Sequence, residues 1–250
     1  MTQTSQGVAG HYDRSGLGEA ILQALRDAGK DPERLTPDDL AAVDEFHIRG
    51  REATEELVRL AAFTAGARVL DVGCGIGGPS RQLARACGCK VTGLDLTMEY
   101  CRTASMLAAR TGLDHLVDYR QGDALDMPFE DQSFDGVWTQ HVTMNIPDKD
   151  TLFRECRRVL RPGGRIALYE LLAHGNGGGL HFPVPWAREP SISFVATEST
   201  LRAALTAAGL GPSPIGLHLL LGADFGAMAA NVLRNLREER LRIVQVVADG

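Results

Sequence analysis

No stretch of this 250-residue chain approaches the run of about 18 apolar residues that a membrane-spanning helix needs. The opening MTQTSQGVAGHYDRSG also lacks the basic start and apolar core of a secretory leader, so a cytoplasmic protein with no membrane partner is expected. Excess positive charge is missing too. With 26 basic against 32 acidic residues the net charge is -6, which repels the phosphate backbone that a nucleic-acid binder must neutralise. Paired C-x-x-C spacing is absent: Cys74, Cys87, Cys89, Cys101 and Cys156 are odd in number and scattered, as expected of reduced packing thiols rather than a zinc or redox site. His174, His181 and His218 show no ligand spacing, and no metal is expected. Nor is there an internal repeat, so architecture must be read from periodicity and punctuation.

What is present is an ordinary globular composition, 44% hydrophobic and 23% charged, sufficient for one well-cored unit. Residues 1–66 read as helical and polar, with helices over Glu19 to Gly29, from Thr36-Pro37, and over Glu52 to Phe63. They form an expected N-terminal helical addition, with 67–250 as the main domain. From Arg68 onward short apolar runs alternate with helix-length segments, the pattern of βαβ units around a parallel sheet. Strands are expected at Arg68–Val72, Lys90–Asp95, Leu116–Arg120, Phe134–Thr139 and Arg165–Leu172. Helices are expected near Pro79–Ala86, Met98–Arg110 and Lys149–Leu160, the last stopped by Arg161-Pro162-Gly163-Gly164. A Gly-, His- and Pro-rich stretch, about 173–199, reads as a loop insertion. Beyond it come a helix at Thr200–Ala208, a strand near Ile215–Leu221, a helix near Ala227–Arg237 and a final strand near Leu241–Val247.

The sharpest feature is VLDVGCGIGG, residues 69–78, an apolar strand running into glycines and then a helix. Glycine has no Cβ and tolerates positive φ, so a nucleotide-like ligand can approach the backbone there. Gly73, Gly75 and Gly78 satisfy the dinucleotide pattern G-x-G-x-x-G, while Gly73, Gly75 and Gly77 satisfy the G-x-G-x-G of methyltransferases. Asp71 favours the second, because a carboxylate inside the strand end can face a methionine amino group through ordered water. Asp95 ends the next strand, 24 residues on, where its two oxygens can accept both ribose hydroxyls. Asp123, 28 residues further in Gly122-Asp123-Ala124, is placed to accept an adenine amine, although an Asp after Gly also forms turns. Open α/β sheets bind ligands beyond the carboxyl ends of their strands, so Gln140 and His141, after the fourth strand, should face the site.

These motifs, with GLDLT, GDALDMPFEDQSFD and LRPGGR, resemble the class I S-adenosylmethionine-dependent methyltransferases over roughly Glu45 to Gly250. DEFHIRGREAT and GCGIGGPSRQLA most resemble the small-molecule branch that includes glycine, sarcosine and dimethylglycine N-methyltransferases and tocopherol C-methyltransferases. The resemblance implies an α/β, Rossmann-like, seven-stranded and mostly parallel sheet with an antiparallel last strand, helices on both faces and a substrate lid after strand five. It implies cofactor roles for Asp71, Gly73, Gly75, Asp95, Leu96, Asp123, Ala124 and Gln140, and for Tyr12 in an N-terminal segment that closes over the methionine end. The expected cofactor is S-adenosylmethionine, leaving as S-adenosylhomocysteine, and the partner a small-molecule methyl acceptor, in a monomer or homodimer. One departure matters: TQHVTMN after the fourth strand differs from what members acting on glycine-like amines carry, so their substrate cannot be borrowed.

Methyl transfer from a sulfonium is an in-line displacement in which alignment is the main task, with effective molarities of about 10⁵ M and above. A phenol or acidic carbon would benefit from a general base, and His141 is the candidate. Asn145 could orient a polar group from the same loop, and Phe182 and Trp186 could cover a ligand or pack the lid. A nucleic-acid methyltransferase is disfavoured by the net charge and by the absence of an Asn-Pro-Pro-aromatic tetrad after the fourth strand, and two further rivals stand beside it. One is a catalytically silent cofactor-binding protein, since fold does not dictate function. The other is a nicotinamide-dependent oxidoreductase, which has no general need for Asp71 or Asp123.

Overall fold

The computed structural model describes residues 3–12, 15–173, 179–212 and 241–249. Its centre is a sheet ordered β3-β2-β1-β4-β5-β7-β6, built from β1 (Arg68–Val72), β2 (Lys90–Asp95), β3 (Val117–Gln121), β4 (Phe134–Gln140), β5 (Leu160–Ala173), β6 (Gly211–Pro212) and β7 (Leu241–Asp249). The first five strands are mutually parallel, and β7 pairs antiparallel with β5 and β6. Six of these strands are of five residues or more, and β6 has only two. The sequence-based strand near Ile215–Leu221 and helix near Ala227–Arg237 lie outside the described residues.

Period-two alternation divides the core between the two faces of the sheet. Val69, Val91, Trp138, Ala167 and Tyr169 pack on one face, while Leu70, Val72, Leu94, Val137, Ile166 and Leu168 pack on the other. Both faces are covered, so β1 and β4 are buried over almost their whole length. β3 lies at the edge and reads VDYRQ, with mostly exposed side chains, which is why its apolar signal is weak.

The N-terminal part supplies α1 (Gln3–Tyr12), α2 (Leu17–Asp27), α3 (Ala41–Asp44) and α4 (Gly50–Ala61). Between strands lie α5 (Gly78–Cys87), α6 (Met98–Arg110) and α7 (Lys149–Val159), followed by α8 (Glu198–Ala207). Helix α2 buries Ile21, Leu22 and Leu25 against Leu107 of α6. Asp148 caps α7 by accepting from the Thr151 amide at 2.9 Å, and Thr197 caps α8 by accepting from the Thr200 amide at 3.2 Å.

The Pro-Gly-Gly read as a helix stop lies inside β5, which begins at Leu160 rather than Arg165. Leu160 pairs with Phe134 and Arg165 with Gly136, so the extra residues bulge out and the pairing resumes beyond them. Among the described residues no helix is long and apolar enough to cross a membrane. All five cysteines are free thiols, four of them buried.

Candidate active site

Pairing register places the carboxyl ends of β1, β2 and β4 side by side, with Val72 opposite both Leu94 and Thr139. The chain leaves β1 through Gly73, Gly75 and Gly77, all at positive φ of 71°, 55° and 79°. Two of these glycines are required by packing: a Cβ on Gly73 would lie 2.3 Å from Val142, and one on Gly77 would lie 2.3 Å from the Tyr119 hydroxyl. A Cβ on Gly75 would meet nothing within 4 Å, so this glycine is set by conformation and by whatever approaches its open side.

Asp95 braces that turn. Its Oδ2 accepts from the Gly75 amide and its Oδ1 from the Thr97 amide, each at 2.9 Å. Burial lifts the Asp95 carboxyl above its ordinary range, against the pull of those amides. Asp71 is fully enclosed and accepts from the Ser80 hydroxyl at 2.5 Å. Burial, with Asp95 and Glu45 nearby, pushes its carboxyl up to about 7. The carboxyls of Asp71 and Asp95 flank this glycine turn and favour a cationic ligand. Beneath the turn, Arg81 of α5 pairs with Asp44 at 2.5 Å and donates to the Ile76 carbonyl at 2.9 Å, both side chains being buried.

At the β3 end Asp123 forms its own turn, Oδ1 accepting from the Leu125 amide at 3.0 Å, and its Oδ2 takes no part in that turn. Ser5 of α1 donates to that Oδ2 at 3.1 Å. Leu96 and Ala124 are half-buried, and Gln121 donates to the Leu96 carbonyl at 3.1 Å. Gln140, expected at the mouth of the sheet, is turned into a buried polar network. Its Oε1 accepts from the Trp138 indole at 3.1 Å, and Thr54 of α4 lies 3.4 Å from its amide group. Thr54 in turn meets Glu45 at 2.9 Å, which holds His47 Nε2 at 2.9 Å. Sequence reasoning missed Glu45 and His47 as site residues, although both lie within the DEFHIRGREAT run; they reach β4 only through Thr54, whose contact to Gln140 spans 86 residues.

His141 adopts φ 53°, uncommon for a side-chain-bearing residue, and stacks on Tyr169 with ring centroids 4.9 Å apart; the His47 ring meets its edge at 5.8 Å. Burial and the neighbouring His47 hold the imidazole far below its usual pKa, so it is neutral. Its Nε2 is buried and, among the described residues, has no hydrogen-bond partner. A buried polar atom left in this state is costly, and a ligand or water normally satisfies it.

Over the strand ends lies a cover made of α1 and the segment after β5. Tyr12 donates to Asn145 Oδ1 at 3.0 Å, and burial, with Tyr100 and Asp95 beside it, raises its phenol well above the ordinary range. Asn145 donates to the carbonyls of Trp186 and Ile192, and His11 donates to that of Pro185 at 3.0 Å. The post-β5 segment returns to its origin, Ala173 bridging Thr197. Within it Trp186 is buried with its indole on Ser193 at 3.0 Å, so this ring packs the segment down, while Phe182 is half-buried against the core.

Comparison with known proteins agrees with this geometry. Residues 70–168 match the family model described as a methyltransferase domain. Over 210 residues the chain is 32% identical to 27-O-demethylrifamycin SV methyltransferase of Amycolatopsis mediterranei, covering 83% of this chain and 76% of that protein. It is 36% identical over 138 residues to methyltransferase GfsG of Streptomyces halstedii, covering 55% of this chain but only half of that protein's length. In fold it is similar to geranyl diphosphate C-methyltransferase of Streptomyces coelicolor, with a TM-score of 0.74 at 20% identity over 99% of this chain and 98% of that one. The chain belongs to the class I S-adenosylmethionine-dependent methyltransferases.

Proposed function

We propose that this chain transfers the methyl group of S-adenosylmethionine to an N, O or C nucleophile of a small molecule. The observation that carries the reading is the open, positive-φ Gly75 held by its amide against the Asp95 carboxylate, the β1–β2 cradle for a ribose-bearing cation. When bound, S-adenosylmethionine supplies a methyl group made electrophilic by the adjacent sulfonium.

The chain's own residues bind, orient and exclude water. Asp71, with Gly73, takes the methionine end, Asp95 and Leu96 the ribose side, and Asp123 and Ala124 the base. Tyr12 closes over them, and Gln140 acts by fixing the end of β4 through Trp138 and Thr54. Residues 1–66 act as a cap and the segment about 173–199 as a lid, their meeting point being Asn145. His141 is the acceptor-facing residue. Held neutral by burial, it is a weak base and a good hydrogen-bond partner, so its contribution is to orient the nucleophile and take up a proton where the acceptor is a hydroxyl.

The test is transfer of labelled methyl from S-adenosylmethionine to a panel of small phenols, alcohols and amines. Hydroxyl acceptors head the panel because the relative matched over most of its length is named for an O-demethylated rifamycin. Labelled product in at least one member, lost in His141→Ala with S-adenosylhomocysteine affinity retained, is the expected result. Cofactor binding with no transfer across the panel would favour the silent binding protein.

A further inference from the structure

One ionisable side chain at the mouth of the sheet has no place in that scheme. Glu170 sits in the apolar run ALYELLA of β5 and is completely buried. A carboxylate in such a position is retained at a cost unless its oxygens are satisfied. Here they are, and mostly by one loop. Oε1 accepts from the Val142 amide at 3.2 Å, and Oε2 accepts from the Thr143 amide at 3.1 Å and the Thr143 hydroxyl at 2.8 Å. Thr139 of β4 donates to Oε1 at 3.5 Å.

Val142 and Thr143 follow His141 and start the 3-10 turn Thr143–Asn145, so Glu170 gathers the free donors at the head of that turn. The residue before these donors is His141 with its unpartnered Nε2, and the last residue of the turn is Asn145, which joins α1 to the post-β5 segment. We propose that Glu170 is a positioning residue of the acceptor site: its carboxylate sets the 141–145 loop, and through it both the His141 imidazole and the Asn145 junction. This rests on reading the mouth of β4 as the acceptor site.

Two physical features make the role testable apart from turnover. Glutamine has the size of glutamate but presents an N–H₂ where one oxygen stood, so at least one loop donor faces another donor. In addition, burial pushes the Glu170 carboxyl up to about 7, while the amides of Val142 and Thr143 and the nearby Lys149 ammonium hold it down. Lys149 of α7 is the charged group whose field reaches it from a packed element; its Nζ donates to the carbonyls of Ile146 and Phe194. Protonation removes acceptor capacity from the loop. It does not weaken the whole fold: a carboxyl raised by folding favours the folded state as pH falls through about 7.

The experiment is amide hydrogen exchange on the full chain, with and without saturating S-adenosylhomocysteine, for wild type, Glu170→Gln and Glu170→Asp, with calorimetric titration of the same ligand. In Glu170→Gln the amides of residues 142–146 should exchange about tenfold faster, while β1 and the glycine turn keep their protection and affinity for S-adenosylhomocysteine stays within about twofold. Glu170→Asp should lie between. In wild type, exchange of the loop, corrected for intrinsic rates, should quicken as pH falls through about 7, and the glutamine variant should lack that step. Over the same pH interval the thermal midpoint of wild type should rise relative to the glutamine variant, opposite to the sign that global unfolding would give. Unchanged loop exchange in Glu170→Gln overturns the proposal. So does faster exchange spread evenly over all strands with loss of ligand binding, which would make Glu170 a structural residue only. Failure of wild type to bind S-adenosylhomocysteine would instead sink the functional reading, and the ligand-free exchange comparison would still decide the role of Glu170.

Discussion

Tyr12 at the end of α1 and Asn145 after β4 share a hydrogen bond of 3.0 Å across 133 residues of sequence, and the same asparagine amide donates to Trp186 and Ile192 at 3.0 and 2.9 Å. One side chain therefore ties the N-terminal helix and the post-β5 segment to the strand mouth. Asn145→Ala leaves the Tyr12 hydroxyl and two carbonyls without their partner, at a cost of about 1–3 kcal/mol. Limited proteolysis should show residues 3–12 and 179–195 becoming cleavable together. Loosening of one without the other would mean that the two parts of the cover are independent.

Asp71 carries a pH dependence whose sign follows from its environment. Burial raises its carboxyl from 3.8 to about 7, so its contribution to folding is fully present below about 3.8 and is lost as pH rises through about 7. A ligand ammonium beside it favours the ionised form, so binding at pH 7 should expel a proton and affinity should grow as pH rises through that range. Titration of S-adenosylhomocysteine in buffers of different ionisation enthalpy should give a buffer-dependent heat that disappears in Asp71→Asn. A buffer effect that survives the substitution would assign the proton to another group.

The glycines of the turn should separate binding from folding. Gly75→Ala places its methyl in open space, at a conformational cost of about 1–2 kcal/mol, and should weaken S-adenosylhomocysteine binding about tenfold or more with a modest fall in thermal midpoint. Gly77→Ala drives a methyl to 2.3 Å from the Tyr119 hydroxyl and should destabilise the fold by about 1–3 kcal/mol through overpacking. Equal stability losses in both variants would contradict the distinction.

Arg81 and Asp44 form a buried pair under that turn. Arg81→Leu strands the Asp44 charge and should cost about 3–5 kcal/mol in urea denaturation, whereas Leu at both positions should recover most of it. A double variant no better than the single would show that the guanidinium contacts to Ile76 and Ala104, rather than the charge pair, hold α5 in place.

How far these features can be read in the sequence depends on whether their cause is local. β1, β2 and β4 announce themselves through buried apolar residues such as Val69-Leu70, Leu94 and Val137-Trp138; the glycine turn and Asp95 are legible because their spacing is a property of one βαβ unit. The start of β5 is hidden in the sequence, since Pro162-Gly163-Gly164 has turn chemistry that a bulge absorbs without ending the strand. Gln140, Glu45 and His47 form a network whose partners lie as far apart as Thr54 and Gln140, 86 residues, so no local pattern reveals it. Glu170 did leave a signal, a lone acid in an apolar strand, and the rule that buried charges need partners could have singled it out.

The central claim is that the cradle formed by Gly75 and Asp95 holds S-adenosylmethionine, and calorimetric titration of the purified chain with S-adenosylhomocysteine and, in parallel, NADH tests it most directly. The account predicts micromolar binding of the first alone, weakened by about 1–3 kcal/mol in Asp95→Ala through loss of charge-assisted hydrogen bonds. Binding of NADH alone, or an affinity for S-adenosylhomocysteine indifferent to Asp95, would contradict it.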